Sequence, residues 1–408
     1  MCLKRMRILV VSQYYYPEPF RLNEVCEELV SRGYEVTVLT SNPNYPDGEL
    51  YEGYFNKENK EEIKGVNIIR CKCRPRHKGT VNLALNYIDF VIKACMFLNR
   101  FNEKFDCIYM YQLSPITSCI PAIKFKRKHK IPLYLYCLDV WPESLKGSAL
   151  GNPVGMKLLG VLSKYIYNSA DRIAVTSPAF IKYIEKICDY KNSQIDYIPQ
   201  HANRILNKVS EVKNNKNSGI TNFLFVGNIG EAQNVECIIR AVSLVQNKSQ
   251  IRIHIVGTGS RLEKCKKLVK ELKLEDTIIF HGRYPKDKLD RFYSIADVCL
   301  VSLRDSGIVG KTIPGKIQEY MSMKKPILAC MNGDVNALIK SADCGICVPA
   351  NNEIELAKAM TKMSYMNDEL LVMGEKAYDY YCAEFTLKIH VDRLEDLLLE
   401  GKNVNKPR

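Results

Sequence analysis

Short apolar runs alternate along the chain with segments of helical period. Residues 7–12 read RILVVS, a near-continuous apolar run that is typical of a buried parallel strand. Residues 22–31 place apolar side chains on one face of a helix, and Gly33 stands where a glycine ends a helix. Residues 35–40 form the next strand, so the chain opens with a βαβ unit, which predicts a doubly wound parallel sheet.

The alternation continues through two stretches of similar length. The further strands predicted in the first stretch are 66–71, 107–111, 133–138, 172–176 and 196–199, and those in the second stretch are 222–226, 251–256, 277–280, 298–302 and 326–329. Residues 82–101 form an apolar helix, and residues 387–399 form a last amphipathic helix. The pattern predicts an α/β protein with two Rossmann-like, doubly wound domains.

One segment interrupts this pattern near the middle of the chain. Residues 208–221 are rich in Lys, Asn and Ser and poor in apolar residues, which is typical of a linker. We therefore predict a first domain over residues 1–207 and a second over residues 222–385. Residues 386–408 then form a separate terminal helix and tail.

The composition is that of a globular protein with a basic surplus. The 408 residues include 59 Lys and Arg against 45 Asp and Glu, a formal net charge of +14. Such a surplus favours an anionic partner, which is nucleic acid, anionic lipid or a phosphorylated small molecule. No nucleic-acid-binding module accompanies the basic runs, so nucleic acid is not an expected partner. The 16 cysteines are scattered without a secretory leader, which indicates reduced thiols in the cytoplasm.

Two short motifs are better explained as ordinary structure than as functional sites. Cys344 and Cys347 form a single CxxC without a second pair or a histidine at zinc-finger spacing, so we expect neither a zinc nor a redox site there. Residues 256–262 begin like a dinucleotide fingerprint, but Leu262 stands where the third glycine belongs. A structural turn is therefore favoured over a nicotinamide site.

A glycine-containing turn follows the strand that opens the second domain. Residues 225–230 read FVGNIG and lie between a predicted strand and a predicted helix. Glycines at such a turn let backbone N–H groups approach a phosphate, and the helix start adds partial positive charge. A tight turn without a ligand is the alternative.

The segment 301–321 combines a loop, a helix start and two charged residues. Pro314 favours a helix start, which places Lys316 in the first turn and Glu319 on the same face. A lysine at a helix start suits a diphosphate, and a carboxylate one turn deeper can accept hydrogen bonds from ribose hydroxyls. A surface ion pair between the two side chains is the alternative.

Acidic residues and the single tryptophan follow a buried strand of the first domain. Asp139, Trp141 and Glu143 stand directly after residues 133–138. The two carboxylates are placed to position an acceptor hydroxyl or to act as a base. The alternative is a helix start with acidic residues in its first turn.

Basic residues cluster near the apolar helix 82–101. Residues 124–130 read KFKRKHK, and four further basic residues lie between 72 and 78. This combination resembles a membrane-surface patch, although a solvated face is the alternative. The uncharged stretch 107–123 is too short and too interrupted by Ser and Pro for a membrane span. We expect a protein that lies on an anionic membrane surface without crossing it.

These motifs together resemble the retaining family-4 glycosyltransferases of bacterial polysaccharide synthesis, and most of all the colanic-acid and O-antigen branch. The resemblance covers nearly the whole chain and rests on residues 14–21, 32–40, 42–46, 139–144, 227–230 and 313–320. It implies the GT-B fold, in which two Rossmann-like domains face a central cleft and the C-terminal helix crosses back to the first domain. It also implies transfer of a hexose or an N-acetylhexosamine from a UDP-sugar, without a metal or cofactor. The implied acceptor is an undecaprenyl-diphosphate-linked saccharide at the cytoplasmic membrane face, in the synthesis of capsule, O-antigen or exopolysaccharide.

The sequence departs from the family's pattern at the expected diphosphate site. Members carry two glutamates eight positions apart, and here Lys311 replaces the first while Glu319 matches the second. The usual Arg and Lys after the phosphate-loop glycine correspond to Asn228 and Gln233. We infer that Lys316, with Lys311 as the alternative, supplies the missing positive charge.

The resemblance and the motifs together give a set of candidate site residues. The expected catalytic residues are Asp139, Lys316 and Glu319; the expected donor-binding residues are Gly227, Asn228, Gly230, Gln233, Arg283, Lys311, Ile317 and Glu319; and the expected acceptor-binding residues are Tyr16, Arg21, Trp141 and Glu143. No metal ligand is expected. Two alternatives to a transferase stay open, namely a non-catalytic subunit that keeps the fold and a GT-B epimerase of sugar nucleotides.

Overall fold

The chain folds into two compact units. A computed structural model describes residues 5–145, 151–188, 195–203 and 219–404. Unit 1 comprises Met1–Pro199 and His390–Arg408, and unit 2 comprises Gln200–Ile389. The units therefore divide at Pro199, upstream of the predicted linker, of which residues 208–218 lie outside the described residues and Thr221 already belongs to a strand.

Unit 1 is built around an eight-stranded sheet. Its strands are β1 (Arg7–Val11), β2 (Glu35–Ser41), β3 (Asn59–Ile63), β4 (Val66–Cys71), β5 (Cys107–Gln112), β6 (Leu133–Cys137), β7 (Arg172–Val175) and β8 (Ile195–Tyr197). Its helices are α1 (Leu22–Ser31), α2 (Thr80–Arg100), α3 (Ile120–His129), α4 (Pro153–Asn168) and α5 (Pro178–Ile187). The strand order is β3-β4-β2-β1-β5-β6-β7-β8, and the order reverses at β1 as in a doubly wound sheet.

The apolar runs of unit 1 become its central strands because helices cover both faces of a doubly wound sheet. Ile8–Val11 of β1 and all of β6 are buried, which confirms the strands predicted from their continuous apolar sequence. Strand β3 was not predicted because its sequence, NKEEI, is polar. It pairs antiparallel with β4 at the sheet edge, where its side chains stay largely exposed and need no apolar pattern.

Unit 2 repeats this architecture with a six-stranded parallel sheet. Its strands are β9 (Thr221–Val226), β10 (Ile251–Val256), β11 (Ile278–Gly282), β12 (Val298–Ser302), β13 (Ile327–Cys330) and β14 (Gly345–Val348). Its helices are α6 (Val235–Leu244), α7 (Leu262–Glu271), α8 (Asp290–Ile295), α9 (Lys316–Ser322), α10 (Asp334–Ala342), α11 (Glu353–Ser364) and α12 (Asn367–Glu384). The order β11-β10-β9-β12-β13-β14 reverses at β9. Both sheets confirm the predicted fold class.

The last helix, α13 (Leu387–Val404), returns to unit 1 from His390 onward. Arg32, at the end of α1, contacts Asp392 at 2.7 Å and Glu395 at 2.5 Å through Nη1. His390 Nδ1 lies 2.8 Å from the Pro199 carbonyl oxygen. These contacts confirm the predicted return of the C-terminal helix to the first domain.

One tyrosine fixes the short helix α9 to the sheet of unit 2. The fully buried Tyr320 hydroxyl donates a hydrogen bond to the Leu300 carbonyl at 3.1 Å and accepts one from the Val226 amide at 3.2 Å. Leu300 lies in β12 and Val226 ends β9, so a single side chain ties α9 to both strands. The start of α9 is thereby held beside the carboxyl end of β9.

Replacing this tyrosine tests how strongly α9 is held. We expect Tyr320→Phe to lower the free energy of unfolding by about 1–3 kcal/mol, because it removes the hydrogen bonds of the buried hydroxyl to the partly buried Val226 amide and the buried Leu300 carbonyl. Tyr365→Phe is the control, since that exposed hydroxyl accepts a bond only from exposed Asn247, and we expect a change within about 0.5 kcal/mol. Urea unfolding measures both; equal midpoints for the two variants would contradict this account of α9.

Candidate functional site

Two glycine turns of unit 2 pack against each other at the carboxyl ends of β9 and β10. Gly227 and Gly257 follow these strands with φ angles of +146° and +151°, a backbone region that favours glycine. A Cβ on Gly257 would come within 1.8 Å of the Gly227 carbonyl oxygen, so no side chain fits there. The Ile229 amide donates to the Thr258 carbonyl at 2.9 Å and completes the contact between the turns. Ligands of doubly wound sheets bind at this edge, where the strand order reverses.

Lys316 directs its ammonium group at the first of these turns. It is the first residue of α9, and its Nζ is buried although other atoms of the residue are partly exposed. Nζ lies 2.9 Å from the place where a Cβ on Gly227 would stand and 3.9 Å from the centroid of the Phe225 ring. Among the described residues, Nζ has no hydrogen-bond acceptor. An ammonium held in this way is suited to an anion that enters beside Gly227.

Burial also changes the protonation of Lys316. Loss of hydration lowers the pKa of the ammonium to about 8, against the opposing effect of the Glu319 carboxylate. The group is therefore mostly charged at neutral pH and loses its charge as the pH rises through 8. An anionic ligand would stabilise the charged form and raise the pKa again.

Glu319 lies one turn further along α9 and is held from outside the helix. Its Oε1 accepts a short hydrogen bond from Nδ2 of the buried Asn203, whose Oδ1 accepts one from Lys286 Nζ at 3.2 Å. The alternative, a surface ion pair of Glu319 with Lys316, is not supported, because Lys316 Nζ is buried and has no hydrogen-bond partner within the described ranges. Sequence reasoning missed Asn203, since 116 residues separate it from Glu319.

The other predicted residues of the glycine turn lie together. Asn228 Nδ2 donates to Gln233 Oε1 at 3.3 Å. Both side chains crowd Gly230, where an added Cβ would lie 2.6 Å from Asn228 Nδ2 and 2.8 Å from Gln233 Oε1. The structure thus brings Gly227, Asn228, Gly230 and Gln233 into one turn, as the sequence predicted.

Three further donor-side candidates occupy different positions in unit 2. Ile317 is fully buried beside Lys316, so its side chain belongs to the core. Arg283 directly follows β11 with an exposed side chain. Lys311 ends a short 3₁₀ turn, and its backbone lies so close to Gly333 that a Cβ there would come within 2.5 Å. Lys311 is exposed, whereas Lys316 Nζ is buried beside the Gly227 turn.

Asp139 of unit 1 belongs to a small hydrogen-bonded group after β6. Ser114 Oγ donates to Asp139 Oδ2 at 2.8 Å and accepts from Trp141 Nε1 at 3.0 Å. Loss of hydration raises the pKa of Asp139, while the Ser114 hydrogen bond opposes this shift. The carboxylate is therefore fixed in place and made more basic than a solvated aspartate.

Trp141 is itself held from two sides. Its amide donates to the Tyr167 hydroxyl at 3.0 Å, and the Tyr183 hydroxyl donates to its carbonyl at 3.3 Å. The indole is buried, and its Nε1 donates to Ser114 Oγ. Glu143 follows in a 3₁₀ turn over Glu143–Leu145 and is partly buried. The alternative of a helix start at these acidic residues falls on this turn, and residues 146–150 after it lie outside the described part of the chain.

The loop before α1 carries the remaining acceptor-side candidates. Tyr16 is partly buried, and its carbonyl accepts a hydrogen bond from Arg70 Nη2 at 2.6 Å. Arg21 occupies the N-cap position of α1. Both residues therefore lie in the loop that follows the carboxyl end of β1.

Glu18 is a residue of this loop that sequence reasoning did not identify. Its fully buried carboxylate accepts hydrogen bonds from the amides of Tyr45 at 2.7 Å, Asn44 at 2.9 Å and Tyr15 at 3.2 Å. Burial outweighs these bonds and raises the pKa of Glu18 to about 7. Glu18 joins the loop after β1 to the loop after β2, a contact that no local pattern predicts.

Within the described ranges, no three side chains of His, Cys, Asp and Glu come together as a metal site. Cys344 is buried at the start of β14, and Cys347 is partly buried within this strand.

Two family descriptions match the chain. "Glycosyl transferase 4-like domain" matches residues 20–201, and "Glycosyl transferases group 1" matches residues 208–380. A protein of Pseudomonas aeruginosa named probable glycosyltransferase WbjE is 28% identical over 60% of this chain, and the match spans 62% of that protein's length. A protein of Escherichia coli K12 named as a glycosyl transferase of colanic acid biosynthesis, WcaI, is 22% identical over 78% of this chain and 81% of its own length.

Solved structures share the fold of the whole chain. Sucrose-phosphate synthase from Thermosynechococcus elongatus superimposes with a TM-score of 0.77 at 18% identity, over 98% of this chain and all of the other. Anabaena Alr3699/HepE in complex with UDP-glucose superimposes with a TM-score of 0.69 at 13% identity, over 97% of this chain and all of the other. These matches agree with the fold of the two Rossmann-like units described above. The chain belongs to the family-4 glycosyltransferases and has their GT-B fold.

Proposed function

We propose that the chain is a retaining glycosyltransferase that moves a hexose or an N-acetylhexosamine from a UDP-sugar to a lipid-linked saccharide. The reaction would serve bacterial surface polysaccharide synthesis at the cytoplasmic face of the membrane. The observation that carries the proposal is the buried ammonium of Lys316, which lies beside Gly227 without a hydrogen-bond acceptor. The colanic acid relative and the UDP complexes of the Anabaena protein support this choice of pathway and donor.

A buried cation at this position would act on the leaving group. When the bond between the sugar's anomeric carbon and the diphosphate breaks, negative charge grows on the diphosphate and the sugar becomes oxocarbenium-like. A cation fixed in advance stabilises that charge more strongly in the transition state than in the ground state. Because Lys316 is already desolvated, little reorganisation is needed when the charge develops.

Glu319 would hold the nucleoside end of the donor. Its carboxylate can accept two hydrogen bonds from the ribose hydroxyls. The bond from Asn203 fixes the orientation of this carboxylate before the donor arrives. The same helix would thereby bind the diphosphate at its first residue and the ribose one turn later.

Asp139 would orient the acceptor hydroxyl in unit 1. Retention without an enzyme nucleophile requires the acceptor oxygen to attack on the face from which the diphosphate departs. The acceptor's proton then passes to the leaving phosphate oxygen, so Asp139 forms no covalent bond to the sugar. Its hydrogen bond to Ser114 keeps the carboxylate in one orientation for this task.

Removing the Lys316 ammonium should weaken UDP binding but leave the free energy of unfolding almost unchanged. We expect Lys316→Met to weaken UDP binding by roughly ten- to a hundredfold, because one charge-assisted contact is lost. Its free energy of unfolding should stay within about 1 kcal/mol of the wild type, since the charge lost was desolvated and without an acceptor. Titration calorimetry with UDP and urea unfolding measure the two quantities.

Lys325 provides the matched control in the same unit. It is also a buried lysine, but its Nζ donates to the Ala296 carbonyl at 2.7 Å. Lys325→Met should therefore destabilise unit 2 and leave UDP affinity unchanged. If both variants bind UDP like the wild type, the assignment of Lys316 is wrong.

The lowered pKa of Lys316 predicts how UDP binding depends on pH. The free protein loses the ammonium as the pH rises through about 8, whereas bound diphosphate keeps it charged. The UDP dissociation constant should therefore rise about tenfold between pH 7 and pH 9. Calorimetry at several pH values measures this slope, and Lys316→Met should show a flat profile. A flat profile for the wild type would contradict the role of this group.

The role of Asp139 is tested by turnover with the natural class of acceptor. A screen of UDP-sugars against undecaprenyl-diphosphate-linked saccharides, read by mass spectrometry, identifies the active pair. With that pair we expect Asp139→Asn to lower turnover at least about tenfold, because the amide cannot accept the same hydrogen bonds, and to leave UDP affinity unchanged. Epimerised UDP-sugar formed without acceptor would instead indicate an epimerase, and UDP binding without any product would indicate a non-catalytic subunit.

A further inference from the structure

The outer side of α2 in unit 1 is apolar along its whole length. Val81, Leu85, Ile88, Ile92 and Met96 follow one another at helical spacing and are between 40% and 71% exposed. The opposite side of the helix packs into unit 1 through Phe90, Ala94 and Leu98, among others. By length and composition α2 could cross a membrane, but a third of its apolar window is buried in the unit. The helix is thus a fixed part of unit 1 that shows an apolar stripe to the outside.

Helix α4 of the same unit has a second stripe of this kind. Val154, Leu158, Val161 and Tyr165 repeat at helical spacing and are between 43% and 70% exposed. Single exposed apolar side chains are common on proteins, but a row of them on each of two helices of one unit indicates an interaction surface.

Helix α3 connects the two stripes and carries the positive charge. Lys128 Nζ donates to the Asn99 carbonyl of α2, and the Arg127 guanidinium lies 5.3 Å from the Tyr165 ring centroid of α4. The three helices contain a single acidic residue, Asp89, and eight Lys and Arg residues, namely Lys93, Arg100, Lys124, Lys126, Arg127, Lys128, Lys157 and Lys164. A further lysine, Lys130, directly follows α3. We call the exposed side of α2, α3 and α4 the outer face.

The inner sides of α2 and α4 contact residues that follow strands of the sheet. From α4, the Tyr167 hydroxyl accepts the hydrogen bond of the Trp141 amide, whose indole donates to Ser114 beside Asp139. From α2, Asn86 Oδ1 accepts a hydrogen bond from Gln13 Nε2 at 2.8 Å, and Gln13 follows β1. Helix α4 therefore links the outer face to the group around Asp139, and α2 links it to the loop after β1.

We infer that the outer face docks on an anionic lipid bilayer, with the stripes of α2 and α4 in the acyl-chain boundary and the cations of α3 at the headgroups. This inference deepens the proposed function, because it places the bilayer that carries the acceptor behind α4, whose Tyr167 holds Trp141 beside the Ser114–Asp139 pair. Amphipathic helices bind bilayers through buried apolar area together with electrostatic attraction to anionic lipid.

The charge of the outer face decides between a bilayer and other occupants. A second copy of this chain would bring the same cations against one another, and the repulsion would oppose a dimer. An anionic bilayer offers both an apolar layer for the stripes and negative charge for α3. The choice of a bilayer as the partner rests on the residues of the outer face and does not depend on the nucleotide site in unit 2.

The test uses substitutions at exposed positions that leave the core intact. Leu158→Glu with Val161→Glu replaces two apolar side chains of the α4 stripe, and Ile354→Glu with Val372→Glu is the matched control on unit 2, where these side chains are 61% and 53% exposed. Co-sedimentation with vesicles of phosphatidylglycerol and phosphatidylcholine measures binding. We expect the wild type and the control to bind and to lose affinity as salt rises, and the α4 variant to bind at least about tenfold more weakly.

Two further measurements make each outcome decisive. Equal vesicle binding by the α4 variant and the wild type, or no vesicle binding by the wild type at low salt, would overturn the inference. A dimer in sedimentation velocity that the α4 variant dissolves would show that a second copy covers the outer face instead. UDP affinity is measured in parallel and should be the same in all three proteins. If the wild type binds UDP but not vesicles, the membrane inference is wrong and the proposed function stands. If it binds vesicles but not UDP, the proposed function is wrong and the membrane inference stands.

Discussion

The proposed chemistry depends on one ammonium group that is buried and has no hydrogen-bond acceptor in the part of the chain that the structure describes. Desolvating a cation costs free energy that a hydrogen-bonding partner normally repays, and for Lys316 Nζ the Phe225 ring and the Glu319 carboxylate offset part of this cost. The neighbouring lysine of the same unit, Lys325, shows the usual solution, a hydrogen bond to a backbone carbonyl. An uncompensated charge of this kind is explained most simply by a ligand that supplies the compensation.

The surrounding structure is arranged so that this group cannot relax towards solvent. Tyr320 fixes α9 to β9 and β12, so the first residue of the helix stays beside the glycine turn. Gly227 has no side chain to fill the space in front of the ammonium, and Phe225 closes the space behind it. These contacts hold the ammonium in place before any ligand arrives, and the proposed stabilisation of a leaving diphosphate depends on such preorganisation.

The parts of this arrangement that follow local patterns could be predicted from the sequence. The buried strands, helix α1, the glycine turn and the placement of Lys316 at a helix start all depend on residues close together in the chain. The polar edge strand β3 has no apolar pattern, and Asn203 and Glu18 act through partners that are distant in sequence, so none of these could be predicted. The stripe of α4 shows a different limit, because helical apolar spacing normally indicates a face that points to the core, whereas this one points outward.

A buried ammonium beside the Gly227 turn of unit 2 and an apolar, basic face of unit 1 are suited to different ligands, a nucleotide diphosphate and an anionic bilayer. The proposed chemistry rests on the ammonium, and a crystal structure of the protein with UDP would show where the diphosphate binds. The account predicts a β-phosphate oxygen within about 3 Å of Lys316 Nζ, beside the Gly227 turn. A diphosphate bound well away from Lys316, with the ammonium still without an anionic partner, would contradict it.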